Sequence, residues 1–148
     1  MLTYLLIVFV IALALAPLTH FLPSKRQRDI ARMREYAAVH GLFVEFRNLP
    51  ATGGAPVSIR DVIYYGKRLP NKRASPVETA AWLRSPQGWH SVGRRLPVPA
   101  PVQELSPDII AASVDESSCG VYWTESAGEA GVEQIRQILE RWCEALIH

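Results

Sequence analysis

Residues 126–147, SAGEAGVEQIRQILERWCEALI, carry the most regular pattern outside the first 23 residues of this chain. Val132, Ile135, Leu139, Trp142 and Leu146 recur at spacings of 3, 4, 3 and 4, and Ile138 and Cys143 widen the stripe. That is the period of one helix face. Two heptads make a poor coiled-coil seam, so the stripe predicts a helix laid across a sheet of its own domain. Ser126, with Glu129 three residues on, has the form of a capping box that opens this helix.

Working back from the helix, Cys119–Thr124 (CGVYWT) reads as the last strand. Thr79–Arg84 and Gly88–Gly93 flank Ser85-Pro86-Gln87 as a hairpin. Ser58–Tyr65 (SIRDVIYY) reads as a strand closed by Gly66, and Leu42–Arg47 as the first strand. Asn48–Pro56 and Leu69–Pro76 are Pro- and Gly-containing loops. Between Arg94 and Pro107 stand Pro97, Pro99, Pro101 and Pro107, a density that predicts a stiff surface connection with neither helix nor central strand. Pro107–Ser113 is expected to form one short helical turn. The fold class that follows is α+β, an antiparallel sheet of four or five short strands covered by the C-terminal amphipathic helix.

The other end of the chain is of a different kind. LTYLLIVFVIALALAPLTHFL, Leu2–Leu22, contains no Asp, Glu, Lys or Arg. Twenty-one helical residues rise about 31 Å, the thickness of a hydrocarbon core. Pro17 near its end is tolerable there, and Tyr4, His20 and Phe21 suit the interfaces. Ala14-Leu15-Ala16 has the small-x-small form of a cleavage site, but no positive region precedes the run and Pro17 would follow the cut, so the span is expected to be retained. Three regions result: a transmembrane helix at 1–23, a basic juxtamembrane helix at 24–41, and an α+β domain at 42–148. The second helix has Ser24 as N-cap, Ile30, Met33, Ala37 and His40 as its apolar stripe, and Gly41 at C′. Lys25, Arg26, Arg28, Arg32 and Arg34 follow the span directly, so the domain is expected to be cytoplasmic and the N-terminus outside.

Charge is divided along the chain. Residues 24–95 hold 14 Lys/Arg against 5 Asp/Glu, and residues 96–148 hold 2 against 9. Either the halves pack together and neutralise, or the basic one faces anionic lipid or an acidic partner. Cys119 and Cys143, 24 apart and with no CxxC, read as packing residues. No nucleophile elbow, phosphate loop, dinucleotide fingerprint or zinc motif is present, and Gly53-Gly54 has no Gly-Lys-Ser after it. The histidines are scattered, with His90 beside Trp89 the one to watch; Asp61, Asp108, Asp115 and Glu116 would need the fold to pair them. Aromatics alternate with cations at Tyr64–Arg68 and Trp82–Arg84, as a half-buried sheet would produce. The expectation is therefore a non-enzyme without metal or cofactor and with no nucleic-acid partner. Lys25, Arg26, Arg28, Arg32 and Arg34 are its membrane or partner contacts, and Trp82, Trp89 and Tyr122 its candidate ligand pocket.

A hydrophobic span followed by Leu22-Pro23-Ser24-Lys25-Arg26-Gln27-Arg28 resembles the small single-span accessory subunit of the bacterial protein translocase. The resemblance covers about the first quarter of the chain. It implies an inner-membrane accessory or scaffold subunit, bound to the bilayer and to another membrane protein. Beyond the basic helix the chain departs from that family, with Leu42–Arg47, Pro-rich loops and an added C-terminal helix in place of a compact glycine-containing β segment, and no functional residue carries over. The alternative expectation is a membrane-tethered module that binds a ligand or a lipid headgroup.

Overall fold

The apolar stripe of residues 126–147 forms α4 (Gly128–Ile147), with Val132, Ile135, Ile138, Leu139, Trp142 and Cys143 buried. The computed structural model describes residues 1–20, 22–50, 61–71, 73 and 75–148, with every side chain among them except those of Thr19 and His20. The Gly53-Gly54 pair, residues 58–60 of an expected strand, Lys72, Phe21 and the side chain of His20 lie outside it. Ser126 does not cap α4. Ala127 occupies the N-cap without a side-chain hydrogen bond, because Glu125 (φ 57) and Gly128 (φ 66) both take left-handed backbone and delay the helix.

Beneath α4 the described residues form a six-stranded antiparallel sheet, one or two strands more than expected, in the order β1-β2-β6-β5-β3-β4. The strands are β1 (Phe43–Glu45), β2 (Ile63–Arg68), β3 (Ala80–Ser85), β4 (Gly88–Val92), β5 (Ile109–Val114) and β6 (Ser118–Trp123). The hairpin around Pro86-Gln87 is β3–β4 as expected. β5 replaces the helical turn expected at Pro107–Ser113. It runs between β6 and β3, with Ile109, Ala111, Ala112 and Val114 buried. A strand covered on both faces loses its alternation, and two alanines give no β signal, so its pattern was silent. The Pro-rich stretch also holds a helical turn, α3 (Ala100–Gln103), because Pro101 sits in its first turn, where a missing N–H costs nothing.

One face of the sheet carries Tyr65, Trp82, Ala112, Cys119, Val121 and Trp123 and is covered by α4, by α3 and by α2 (Lys25–Val39). α2 has Met33 and Ala37 buried in this same core, so the basic helix is part of the domain rather than a separate segment. Its ends are as expected. Ser24 and Gln27 exchange side-chain and backbone hydrogen bonds (3.2 and 3.0 Å), and Gly41 turns at φ 82. His40 does not join the buried stripe; it is exposed and stacks on Tyr36 at 4.0 Å. Cys119 and Cys143 are both buried and free, and burial pushes the Cys119 thiol up to about 12.

The opposite face holds a smaller cluster of Leu49, Tyr64, Ala111 and Tyr122. β2 runs on through Gly66 instead of ending there, because Gly66 pairs with Gly120 of β6 and the Tyr64 ring lies over both. A Cβ on Gly120 would stand 2.3 Å from Tyr64 Cζ, and one on Gly66 2.5 Å from Cε1. Tyr64 is fully buried, its hydroxyl 3.2 Å from Ser118 Oγ, and Arg47 lies 4.0 Å over its ring. The ring has nowhere to go.

α1 (Leu2–His20) ends short of the expected limit at residue 23, and all described side chains from Met1 to Leu18 are exposed. Among the described residues no helix is long and apolar enough to cross a membrane.

Gly120→Ala should lower the denaturant midpoint by an amount equivalent to about 1–3 kcal/mol through overpacking against Tyr64. In a Tyr64→Ala background the same substitution should have little further effect, a coupling that a double-mutant cycle measures directly.

Candidate functional site

Where the chain leaves β6 it must turn toward α4, and Glu125 makes that turn with left-handed backbone. Such a conformation costs a β-carbon residue about 1–3 kcal/mol and needs surroundings that fix it. Here α2 supplies them. Arg26 donates from Nη1 to the Glu125 carbonyl and from Nη2 to the Thr124 carbonyl, both at 2.8 Å. Two turns along α2, Arg34 grips the Glu125 carboxylate with both arms, Nε to Oε2 at 3.0 Å and Nη2 to Oε1 at 2.8 Å. The Tyr65 hydroxyl of β2 donates to the same Oε2 at 2.6 Å.

The Glu125 side chain is 4% exposed and that of Arg34 37%. A buried carboxylate is tolerable when donors surround it, and this one has three. Its hydrogen bond holds the Arg34 guanidinium above its ordinary range. Burial, followed by the bond to Glu125, pushes the Tyr65 phenol well above its usual value. With its oxygens engaged, Glu125 is a fastener and not a free base.

Asp61, also left-handed at φ 66, stands at the start of β2 beside this turn. With Arg26, Ile30, Arg34, Phe46 and Glu125 it lines a cavity of about 390 Å³ between α2 and the ends of β2 and β6. A second hollow of about 520 Å³ lies along α2 at Asp29, Arg32 and Met33, across from Ser126 and Glu129. The two left-handed non-glycine residues among the described residues are thus gathered at the sheet end that α2 closes.

The five basic residues of α2 divide in two. Arg26, itself exposed, and the half-buried Arg34 reach the turn after β6 and hold it. Lys25, Arg28 and Arg32 are exposed and make no hydrogen bond or ion pair among the described residues. The seam also joins the two charge halves. Tyr36 donates to Glu133 at 2.6 Å, Arg47 lies 3.5 Å from Asp115, and Lys67 lies 3.9 Å from Glu140. Of the two readings of the charge division, neutralisation by packing is the one these contacts follow.

Trp82, Trp89 and Tyr122 are not brought together. Trp82 packs edge-on to Trp142 at 5.9 Å on the helix-covered face, and Trp89 lies on that face beneath Arg84 at 4.5 Å. Tyr122 belongs to the opposite face, 5.0 Å from Tyr64. One residue's shift along a strand reverses its face, and sequence alone did not set the register of β6 against β3. His90 is exposed, with Nδ1 3.4 Å from Ser85 Oγ and no acidic pair beside it. Asp115 is a turn residue, its Oδ1 accepting the backbone N–H groups of Ser117 (2.7 Å) and Ser118 (2.9 Å). Among the described residues no three His, Cys, Asp or Glu side chains are grouped as a metal site requires. Glu125 was missed because a single acid after a strand has no motif; its one trace was the opposition of a basic helix and an acidic half.

Two outcomes test the fastener. Glu125→Ala should destabilise the domain by about 3 kcal/mol, since it leaves the buried Tyr65 hydroxyl without its acceptor. Chemical denaturation measures it. Tyr64 and Tyr65 both titrate above their unfolded value, chiefly through burial. The unfolded chain therefore loses those protons first, near pH ~10. Stability from these phenols is complete below that pH and is lost as pH rises past it. Phenolate absorbance from the two should appear together with alkaline unfolding.

No family model, curated protein or solved structure matches this chain.

Proposed function

We propose that this chain is a single-pass inner-membrane protein, anchored by α1, whose domain acts as a non-enzymatic accessory or scaffold subunit of a membrane protein complex. The observation that carries the reading is α1 itself. Nineteen residues without a charged side chain expose Leu5, Leu6, Val8, Phe9, Leu13 and Leu18 to a degree between 58% and 74% of their surface. A helix apolar on every face needs an apolar surrounding, and the domain does not provide it. The described part of α1 does not by itself amount to a span, so the reading takes the whole uncharged run Leu2–Leu22 of the sequence, whose twenty-one residues would rise about 31 Å as a helix, the thickness of a hydrocarbon core.

The basic residues that follow α1 favour a cytoplasmic domain and an outside N-terminus. A scaffold role is supported by how the charged groups are used. The buried acid of the domain is spent on holding α2 in place, and the exposed His90 stands apart from the carboxylates. The partner this implies is another membrane protein, and the layout at Leu22–Arg28 makes the translocase one candidate. The cavity beside Arg26 and Arg34 favours the second reading, a tethered module for a ligand or headgroup.

In native membranes the full chain should stay in the pellet through alkaline carbonate and leave it only with detergent. Val8→Arg with Ile11→Arg should release it, since a charge at mid-helix opposes insertion by about 2.5–3.5 kcal/mol. Release of the unaltered chain by carbonate would end the anchor reading. Purified in mild detergent, the protein should bring down a membrane protein in fixed stoichiometry; a protein that purifies alone would end the accessory reading.

A further inference from the structure

We propose that the outward face of α2, formed by Lys25, Arg28 and Arg32, binds the phosphates of anionic glycerophospholipid headgroups. Arg26 and Arg34, although adjacent in sequence, take no part. This rests on α1 being the membrane anchor and adds the ligand of the helix that follows it.

Geometry separates the two groups. At ~100° per residue, positions 25, 28 and 32 fall within about 60° of one another on the helix. The buried positions Met33 and Ala37, with Ile30 beside them, centre roughly 140° away. By the same count Arg26 falls on the buried side itself, at the first turn of the helix, and Arg34 at its edge, and both are consumed by Glu125 and Thr124. The three outward residues therefore keep long cationic side chains free while the helix beneath them is held rigid. The acidic groups that face the stripe are Asp29 and Glu35 on α2 and, across the hollow that Arg32 helps to line, Glu125 and Glu129; among the described residues none of them is paired with it.

Position selects the occupant. Lys25 stands five Cα steps after His20, which no chain can stretch beyond about 18 Å. With α1 in the bilayer, a headgroup layer of roughly 7 Å and a Debye length of ~8 Å lie within that reach. A planar array of phosphates fits three cations on one helix face, and each cation favours an anionic surface by about fivefold.

The test offers the full chain a choice. Detergent-solubilised protein is mixed with two differently dyed vesicle populations, one of phosphatidylcholine and one with about 30% phosphatidylglycerol, a typical anionic fraction. Detergent is then removed and the vesicles are sorted. The expected result is uptake by both populations, with a preference for the anionic one of about a hundredfold at low salt, fivefold from each of three cations, that shrinks at high salt. Lys25→Gln/Arg28→Gln/Arg32→Gln should abolish the preference and leave the melting temperature unchanged. Arg94→Gln/Arg95→Gln, which removes charge after the far edge strand β4, should keep it. Equal uptake by both populations, or a preference that survives the triple substitution, overturns the headgroup assignment while the anchor stands. Uptake by anionic vesicles alone, lost in the triple variant, upholds the assignment and removes the anchor. Uptake by neither removes both.

Discussion

Glu125 stands at the one point where three separate parts of the chain must agree. It lies just past the end of β6, in the turn into α4, and its carboxylate is the acceptor for Arg34 of α2 and Tyr65 of β2. The backbone there is left-handed, so without a hold on it the turn would relax and α4 would meet the sheet differently. Arg26 on the two carbonyls supplies that hold from outside, and the carboxylate supplies it from within. Hydrophobic burial gives the domain most of its stability, but burial is not directional. Direction comes from this cluster, which fixes where α2 crosses the sheet end.

That arrangement also brings the two oppositely charged halves of the sequence against each other. The basic half delivers α2, β1 and β2, and the acidic half delivers β6 and α4. Because β2 pairs with β6 and α2 packs on α4, the halves are interleaved and face each other across contacts of 2.6–3.9 Å. Among the described residues the cations of α2 left unpaired by that process are Lys25, Arg28 and Arg32, which lie on the helix that follows α1.

Legibility followed the strength of the period. The stripe from Val132 to Leu146, the Ser24 cap, the Gly41 stop and the hairpin at Pro86-Gln87 are all local signals, and all four are in the structure. β5 was illegible because burial on both faces removed its alternation and Ala111-Ala112 removed its propensity. Gly66 reads as punctuation in the sequence, whereas the Tyr64 ring, laid over it and over the facing Gly120, is what requires it. Of the site, the basic cluster was visible, but the division of its five members was not. Helical phase suggests two faces; only the position of Glu125, ninety-one residues from Arg34, says which arginines are engaged.

The joint between α1 and α2 spans only residues 21–24, and α2 is clamped to the sheet at both Arg26 and Arg34. With α1 in a bilayer, such a domain has almost no volume to explore. Its first basic residue stays within about 18 Å of the end of α1, so its search for a membrane-resident partner is two-dimensional, whereas a freely diffusing partner gains nothing from that confinement. Lengthening the joint with a flexible insert would leave fold and anchor intact and slow the encounter alone, which makes the length of four residues a kinetic setting in its own right.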